Sequence, residues 1–542
     1  MIKADDVVAR VRAGEPLNGI RAVSLDLRGA DLSGARFAGA AFLSCDLRGA
    51  TFKGASFEDA MFLGCELGDV DLGGVSLARA SFLKSKLAGA RLRDTNLTDA
   101  KLDQASLAGA DLGGATLTGT SFTMADLMRA SFNGAKLTRS ALVKANLALA
   151  DLSDAVMDTV VLVEADLRGV TFPTLMEKVI CDRAVFSQRD VPIDDPRTSD
   201  GRGASSVDLS GRSLKACSFT GVSFVDGDLR NTRLEGTNFQ GCEMTGVRLD
   251  GADLTATIFI GTNLSGVDLS GQKTRRTVFA NADLSGANLE GIHISLSALP
   301  DANLSGANLR NATISGSIIT GATLEGASLE GATFRGVVWN DRDLRGLPLA
   351  GLVLKSCAFL NVNLAGADLR GCDLEGSNFS KADLSNAVLC GAKLRNARFK
   401  GAKLSGADLS GADARQACFA EAKLDKARFT GARLRSVSFK QARAPGADFT
   451  DANLERARFV EGHAENASFA GAYLVRADFA HAHVEGASFA GANLAYANLH
   501  NLHDRGAAWV GALKVTARPT DQDRLVAEGW SAPALPTDPR HP

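Results

Sequence analysis

NLAGADLRGCDLEGSNFSKADLSNAVLCGAKLRNARFKGAKLSGADLS, residues 363–410, carries a large apolar residue at every fifth position: Leu364, Leu369, Leu374, Phe379, Leu384, Leu389, Leu394, Phe399, Leu404 and Leu409. Two residues before each stands something small, usually Ala, and most remaining positions are polar or Gly. A helix repeats its apolar face every 3.6 residues and a strand every 2, so neither template fits a beat of five. A repeat of fixed period therefore decides the architecture before any single element is assigned.

Outward from this stretch the beat holds. From Leu27 to Phe172, thirty centres fall in one phase, all Leu or Phe except Met157. From Leu209 to Leu499, 59 more do so, with polar or small exceptions at Thr274, Ala414, Ala444 and Ala464. Between them PTLMEKVICDRAVFSQRDVPIDDPRTSDGRGASS (173–206) breaks the phase, because Leu209 lies 37 residues beyond Phe172. Three Pro and a charged, Gly/Ser-rich end mark a connector, with Phe186 as one stray repeat. Flanking positions also degrade around 272–276 and 339–348, where bulges or altered corners are expected.

The ends read differently. Ala4–Ala13 is a short amphipathic helix, capped by Asp5 or Asp6, with Val7, Val8 and Val11 on one face. It would plug a first coil whose core and strand edge are otherwise bare. Asp521–Glu528 is a second short helix that, with Trp530, would close the last coil. The expected organisation is a helical cap (1–20), a first array (21–172), a connector (173–206), a second array (207–509), and a C-terminal cap with a disordered tail (510–542).

Four pentads closing into one square turn give twenty residues per coil, and correlations at twenty are present. Phe399, Phe419, Phe439, Phe459 and Phe479 form one column; Phe429, Phe449, Phe469 and Phe489 form another, ten residues out of step and so on the opposite face. The column through Leu404, Leu424, Ala444, Ala464 and Val484 shrinks as the Phe stacks grow, which offsets their volume.

Lys plus Arg total 60 against 62 Asp plus Glu, so net charge argues for neither a wholesale nucleic-acid binder nor an acidic decoy. No apolar run is long enough for a membrane span and the start lacks a signal peptide. Of nine Cys, Cys45, Cys65, Cys217, Cys242, Cys357 and Cys372 occupy the small position two before a centre, as compact apolar substitutes for Ala. Reduced structural thiols and a cytoplasmic compartment follow, with a secreted effector lacking a signal peptide as the other option.

Pentads such as Ala30-Asp31-Leu32-Ser33-Gly34 and Ala307-Asn308-Leu309-Arg310-Asn311 resemble the pentapeptide-repeat family motif A-(D/N)-L-X-X. The resemblance covers about 27–172 and 207–499. It implies an all-β fold, a right-handed quadrilateral parallel β-helix, here in two arrays with a short N-terminal capping helix and a short C-terminal helix and tail. In that geometry the centre and the residue two before it point inward, and the other three point out.

Function must then lie on outward positions. Lys403, Lys423, Arg443, His463, His483 and His503 occur at intervals of twenty just before the centre, and Arg395, Arg415 and Arg435 just after it. Between Gly391 and Arg443 stand thirteen Lys or Arg but four Asp or Glu. Lys393, Arg395, Lys403, Arg415, Lys423, Arg433, Arg435 and Arg443 are the candidate binding belt. Stacked like charges about 4.8 Å apart repel, so a column of them invites an acidic partner. A protein surface is the expected partner and nucleic acid a less expected one; a solvated face without a partner is the plain alternative. An end-to-end dimer is compatible with the fold. His481, His483, His500 and His503 crowd one corner of two coils and are candidate metal ligands, against a reading as ordinary surface variants.

No Walker loop, HExxH or nucleophile elbow is present, and a convex surface does not exclude water, so no enzyme and no cofactor are expected. The leading function is a non-catalytic scaffold or adaptor for a protein partner. The family resemblance supplies a second, a DNA-mimicking topoisomerase (gyrase)-binding resistance protein of the fluoroquinolone type. That mimicry needs an acidic column, and here acids are interleaved with Lys and Arg. The head ARVRAGEPLNGI running into SLDLRGADLSGA supplies a third, through its resemblance to long arrays beside bacterial type VI secretion or effector genes, where they would serve as accessory or adaptor proteins.

Overall fold

The computed structural model describes residues 2–186 and 207–529. Its repeating unit follows from the pentad chemistry. Around Leu409, both the centre and Ala407 are fully buried. The Leu389 N–H donates to the Asp408 carbonyl (2.7 Å) and the Asp408 N–H to the Ala387 carbonyl (3.0 Å), so backbone groups are satisfied between successive coils. The Ala412 N–H returns to the Leu409 carbonyl (3.1 Å), closing a tight corner. The third residue of most corners takes positive φ, as at Gly406 (69°) and Asn396 (58°). Gly adopts that conformation without strain and Asn tolerates it, which is why Gly is frequent here without disorder.

Ladders such as Asp368–Val388–Asp408, Asp373–Lys393–Asp413, Asn378–Arg398–Cys418 and Asp383–Lys403–Lys423 run parallel at a spacing of one coil. Four ladders per twenty residues make a four-sided parallel β-solenoid. Where a small position is Thr or Cys, its donor is satisfied inward: Thr120 Oγ1 donates to the Leu97 carbonyl (2.8 Å), and Cys242 Sγ to that of Phe219 (2.8 Å). All nine Cys are free, and burial pushes the Cys242 thiol up to about 12.

The chain forms two compact units, Met1–Asn308 with Ala322–Ala327, and Leu309–Gly321 with Ser328–Pro542. The first opens on helix α1 (Ala4–Arg12), where the Asp6 carboxylate accepts the Lys3 N–H (3.2 Å) and Val7 is buried. The stretch read as a connector (173–206) divides. The corner after Phe172 is one residue short, so Met157–Asp158 pairs with Met176–Glu177 at a spacing of nineteen. Met176, Cys181 and Phe186 then become buried centres. Ile180 bridges back to Val161 and on to Ser218, and the Met176 N–H donates to the Ser213 carbonyl (2.9 Å). Within this unit the coils of both arrays therefore share one ladder, and residues 173–186 belong to it. Phe186 is a core residue stacked on Phe172 at 5.6 Å. Residues 187–206 lie outside the described residues. At 272–276 the corner is altered in form: Lys273–Arg275 is a short strand paired with His293–Ser295 around a buried Thr274, and the ladder through Asp253 does not continue to Lys273.

In the second unit Trp339 is a buried centre, and the ladder lapses at Pro348, which has no N–H to give. The coils also run further than the pattern suggested, to the bridges Asn493–Leu513 and Asn498–Arg518. Residues 510–518 thus complete a coil, although its centres Asp504 and Lys514 are polar. Helix α2 (Gln522–Glu528) follows, with the Asp521 carboxylate accepting the Arg524 N–H (3.1 Å). Trp530 lies outside the described residues. Among those residues no helix is long and apolar enough to cross a membrane.

Candidate functional site

The column expected at intervals of twenty is formed. Lys403, Lys423, Arg443, His463, His483 and His503 bridge one to the next on one side of the second unit. Lys393 and Arg433 stand on the ladder of the opposite side, ten residues out of step, where they alternate with acids in the order Asp373, Lys393, Asp413, Arg433. Arg395, Arg415 and Arg435 occupy the same corner of successive coils, as the bonds Asn396 N to Arg415 O (3.1 Å) and Gln416 N to Arg435 O (3.0 Å) require.

Acids neutralise part of this belt. Lys403 pairs with Asp383 (3.2 Å), Arg443 with Asp425 (3.4 Å), Arg435 with Glu455 (3.4 Å) and Lys393 more loosely with Asp373 (3.8 Å). Arg415 forks onto Asp413, two residues earlier in the same pentad. Among the described residues, Arg395, Lys423 and Arg433 have no carboxylate within ion-pairing distance. These three carry the belt's unbalanced charge.

The Asp413–Arg415 fork is one instance of a device absent from the sequence reading. The same D-x-R spacing pairs Asp26 with Arg28, Asp46 with Arg48, Asp166 with Arg168, Asp228 with Arg230, Asp343 with Arg345 and Asp368 with Arg370. The signal was available: D-L-R puts an acid before the centre and a base after it, side by side on one outward corner. The Arg28 guanidinium holds the Asp26 carboxyl down at about 2, against an ordinary 3.8. A lowered folded-state pKa stabilises fully above pH 3.8 and loses that contribution as pH falls through about 2. A carbon-detected NMR titration should place the Asp26 midpoint near 2, and Arg28→Ala should raise it part of the way toward 3.8, since the backbone N–H of residue 28 remains.

The four His taken from the sequence as one cluster separate into two. His481 and His500 meet edge to face at 5.2 Å, and the Nε2 of each lies on Glu528 Oε2, at 3.0 and 3.1 Å. His500 is 2% exposed, and its Nδ1 accepts the Asp521 N–H (3.2 Å). A ring nitrogen that accepts a backbone N–H carries no proton, so Nε2 is the donor to Glu528. Arg524 Nε takes the other Glu528 oxygen at 2.6 Å. The trio is a hydrogen-bonded latch that holds α2 on the last coils. Glu528→Ala should weaken that docking by about 1.5–3 kcal/mol, read as at least about tenfold faster amide exchange within α2 and none near Leu409.

His483 and His503 belong instead to the ladder, with His463, which the sequence reading placed in the column but not among metal ligands. Their rings stack at 4.7 Å (His463–His483) and 4.3 Å (His483–His503). Glu465 Oε1 lies 2.9 Å from His463 Nδ1, and Glu485 Oε1 lies 3.2 Å from His483 Nδ1.

Comparison with known proteins agrees with this geometry. The model for pentapeptide repeats (8 copies) matches in successive segments over 26–172, 205–295, 299–337, 357–396 and 472–502, and that for the pentapeptide repeat region matches 392–469. Solved structures include HetL, a pentapeptide repeat protein involved in heterocyst differentiation regulation from the cyanobacterium Nostoc sp. strain PCC 7120. It is 24% identical over 62% of this chain and 98% of its own, with a TM-score of 0.17. Full-length QnrB1, a plasmid-mediated fluoroquinolone resistance protein, is 18% identical over 35% of this chain and 98% of its own, with a TM-score of 0.17. A thylakoid-lumen pentapeptide repeat protein of Arabidopsis thaliana is 27% identical over 23% of this chain and 74% of its own, with a TM-score of 0.14. No curated protein matches. With most of its length matched by these repeat models, the chain belongs to the pentapeptide-repeat family.

Proposed function

We propose that the chain is a non-catalytic adaptor whose second unit binds a protein partner bearing an acidic surface. One observation carries this reading: Arg395 and Arg433 on one side, and Lys423 on the opposite side, remain unbalanced within a belt whose other cations are each matched by a nearby acid. Bringing carboxylates to Arg395 and Arg433, which share one side of the coils, relieves repulsion without rearranging the coils, and steers encounter at low salt. The alternation of Asp373, Lys393, Asp413 and Arg433 along one ladder favours this reading over a DNA mimic, which requires an unbroken anionic column.

The test is a pull-down from cell extract with the full chain and with its Arg395→Glu/Lys423→Glu/Arg433→Glu variant. Specific partners should be lost at least about tenfold in the variant, and wild-type capture should weaken as salt is raised. Identical captured sets would refute the belt as the binding face. A gyrase supercoiling assay inhibited at stoichiometric protein would instead favour the topoisomerase reading.

A further inference from the structure

The histidine column holds a feature that ion pairing does not use. The motif H-x-E recurs at one-coil spacing, His463-Ala464-Glu465 and His483-Val484-Glu485, and His503 follows one coil later. Stacking these pentads sets the rings nearly parallel, at 6° and 9°. Each Glu turns back toward the ring two residues before it. Yet Glu485 Oε2 is buried from solvent and has no hydrogen-bond partner. An ionised carboxylate oxygen withdrawn from water without a partner is costly, and native structures normally supply one.

We infer that His483, Glu485 and His503 form a binding site for a divalent transition-metal ion of the zinc class. One ligand atom from each lies within 4.8 Å of the others. Two imidazole nitrogens and one carboxylate oxygen are the donor set that zinc takes, and it suits nickel and copper as well. Ligand atoms around a tetrahedral zinc stand about 3.3 Å apart, from Zn–N distances of about 2.0–2.1 Å. The His483–Glu485 pair already lies at 3.2 Å; the His503 ring, stacked on His483 at 4.3 Å and 9°, has to tilt out of that stack to aim a nitrogen at the same ion. His483 and Glu485 are each about one-third exposed, which leaves the fourth position open to water or to a side chain of another molecule. His463 and Glu465, with His483 again, offer a second and more exposed set one coil away.

The neighbouring trio His481, His500 and Glu528 has comparable spacing but suits a metal less well. Its nitrogen facing Glu528 on His500 carries the proton, since Nδ1 already accepts the Asp521 N–H. A metal there would have to displace that proton from a ring with no other. At His483 only Nδ1 is engaged, by Glu485, so the other ring nitrogen can carry the hydrogen while Nδ1 faces the ion. The site thus separates residues that the sequence had grouped, and it adds Glu485.

The experiment is a titration of the full chain, free of any affinity tag, with zinc chloride by calorimetry, and with cobalt(II) followed by its visible absorption. His483→Ala should abolish high-affinity binding and the cobalt band. Glu485→Gln should weaken binding at least about tenfold, and His481→Ala should leave it within about twofold. Circular dichroism of each variant confirms that its coils remain folded. Absence of zinc binding by the wild type would overturn the site. So would binding that survives His483→Ala, or that is lost in His481→Ala, which would move the ion to the α2 latch.

Discussion

Phe439→Ala is expected to destabilise its coils by about 3–5 kcal/mol, the usual cost of truncating a fully buried Phe. Phe439 stacks on Phe419 at 5.3 Å and on Phe459 at 4.7 Å. It also meets Phe429 and Phe449 edge to face, at 5.8 and 5.5 Å. Removing the ring leaves a void bounded by four other rings whose backbones are tied into ladders, so the site cannot collapse to fill it. Lys440→Ala, one residue away and outward, should stay within about 0.5 kcal/mol. Coils contact only their neighbours, so the loss is local and global melting would dilute it. Amide exchange across 419–459 is the measurement. Equal protection in both variants would refute the packing account.

The second large effect is expected at Asp166. Seven D-x-R forks share one geometry, but their burial differs: Asp166 and Arg168 side chains are 7% and 11% exposed, whereas those of Asp343 and Arg345 are 51% and 58%. Arg168 Nε and Nη2 sit 2.8 and 2.7 Å from the two Asp166 oxygens. Asp166→Ala takes the carboxylate from a nearly buried guanidinium and should cost about 3–5 kcal/mol. Asp343→Ala breaks the same fork in water and should cost at most about 1 kcal/mol. Asp166→Ala combined with Arg168→Met should recover part of the loss, because part of the penalty lies in withdrawing a carboxylate from a nearly buried charge. Chemical denaturation with amide exchange near residues 146–185 distinguishes these outcomes; equal effects at both forks would show that burial does not set the cost.

The interior was legible because one rule governs it. Leu, Phe and Ala at fixed offsets determine which side chains turn inward, and twenty-residue spacing determines which of them stack. Where the structure departs from that reading, the sequence carries the cause in a form periodicity does not register. A single missing residue after Phe172 moves the centres onto Met176, Cys181 and Phe186, so a continuing coil resembles a connector. Position within the pentad separates the histidines: His463, His483 and His503 precede a centre and join one ladder, while His481 and His500 follow a centre and face the terminal helix. Counting cations from Gly391 to Arg443 also overstates the belt. Asp373 and Asp383 lie before that window and Glu455 beyond it, yet each lands beside a cation one coil away.

The aromatic columns of the second unit also end in spectroscopic reporters. Trp339 lies against Phe359 at one end of a stack that continues through Phe379, Phe399, Phe419, Phe439 and Phe459 to Phe479. Trp509 lies on Phe489 at the opposite end of the other stack, which begins at Phe429. With Trp530 replaced by Phe, a variant keeping either indole alone would emit from one known terminus. Comparing the two under force or denaturant would show from which end the coils unzip, and so turn a static stack into a directional clock.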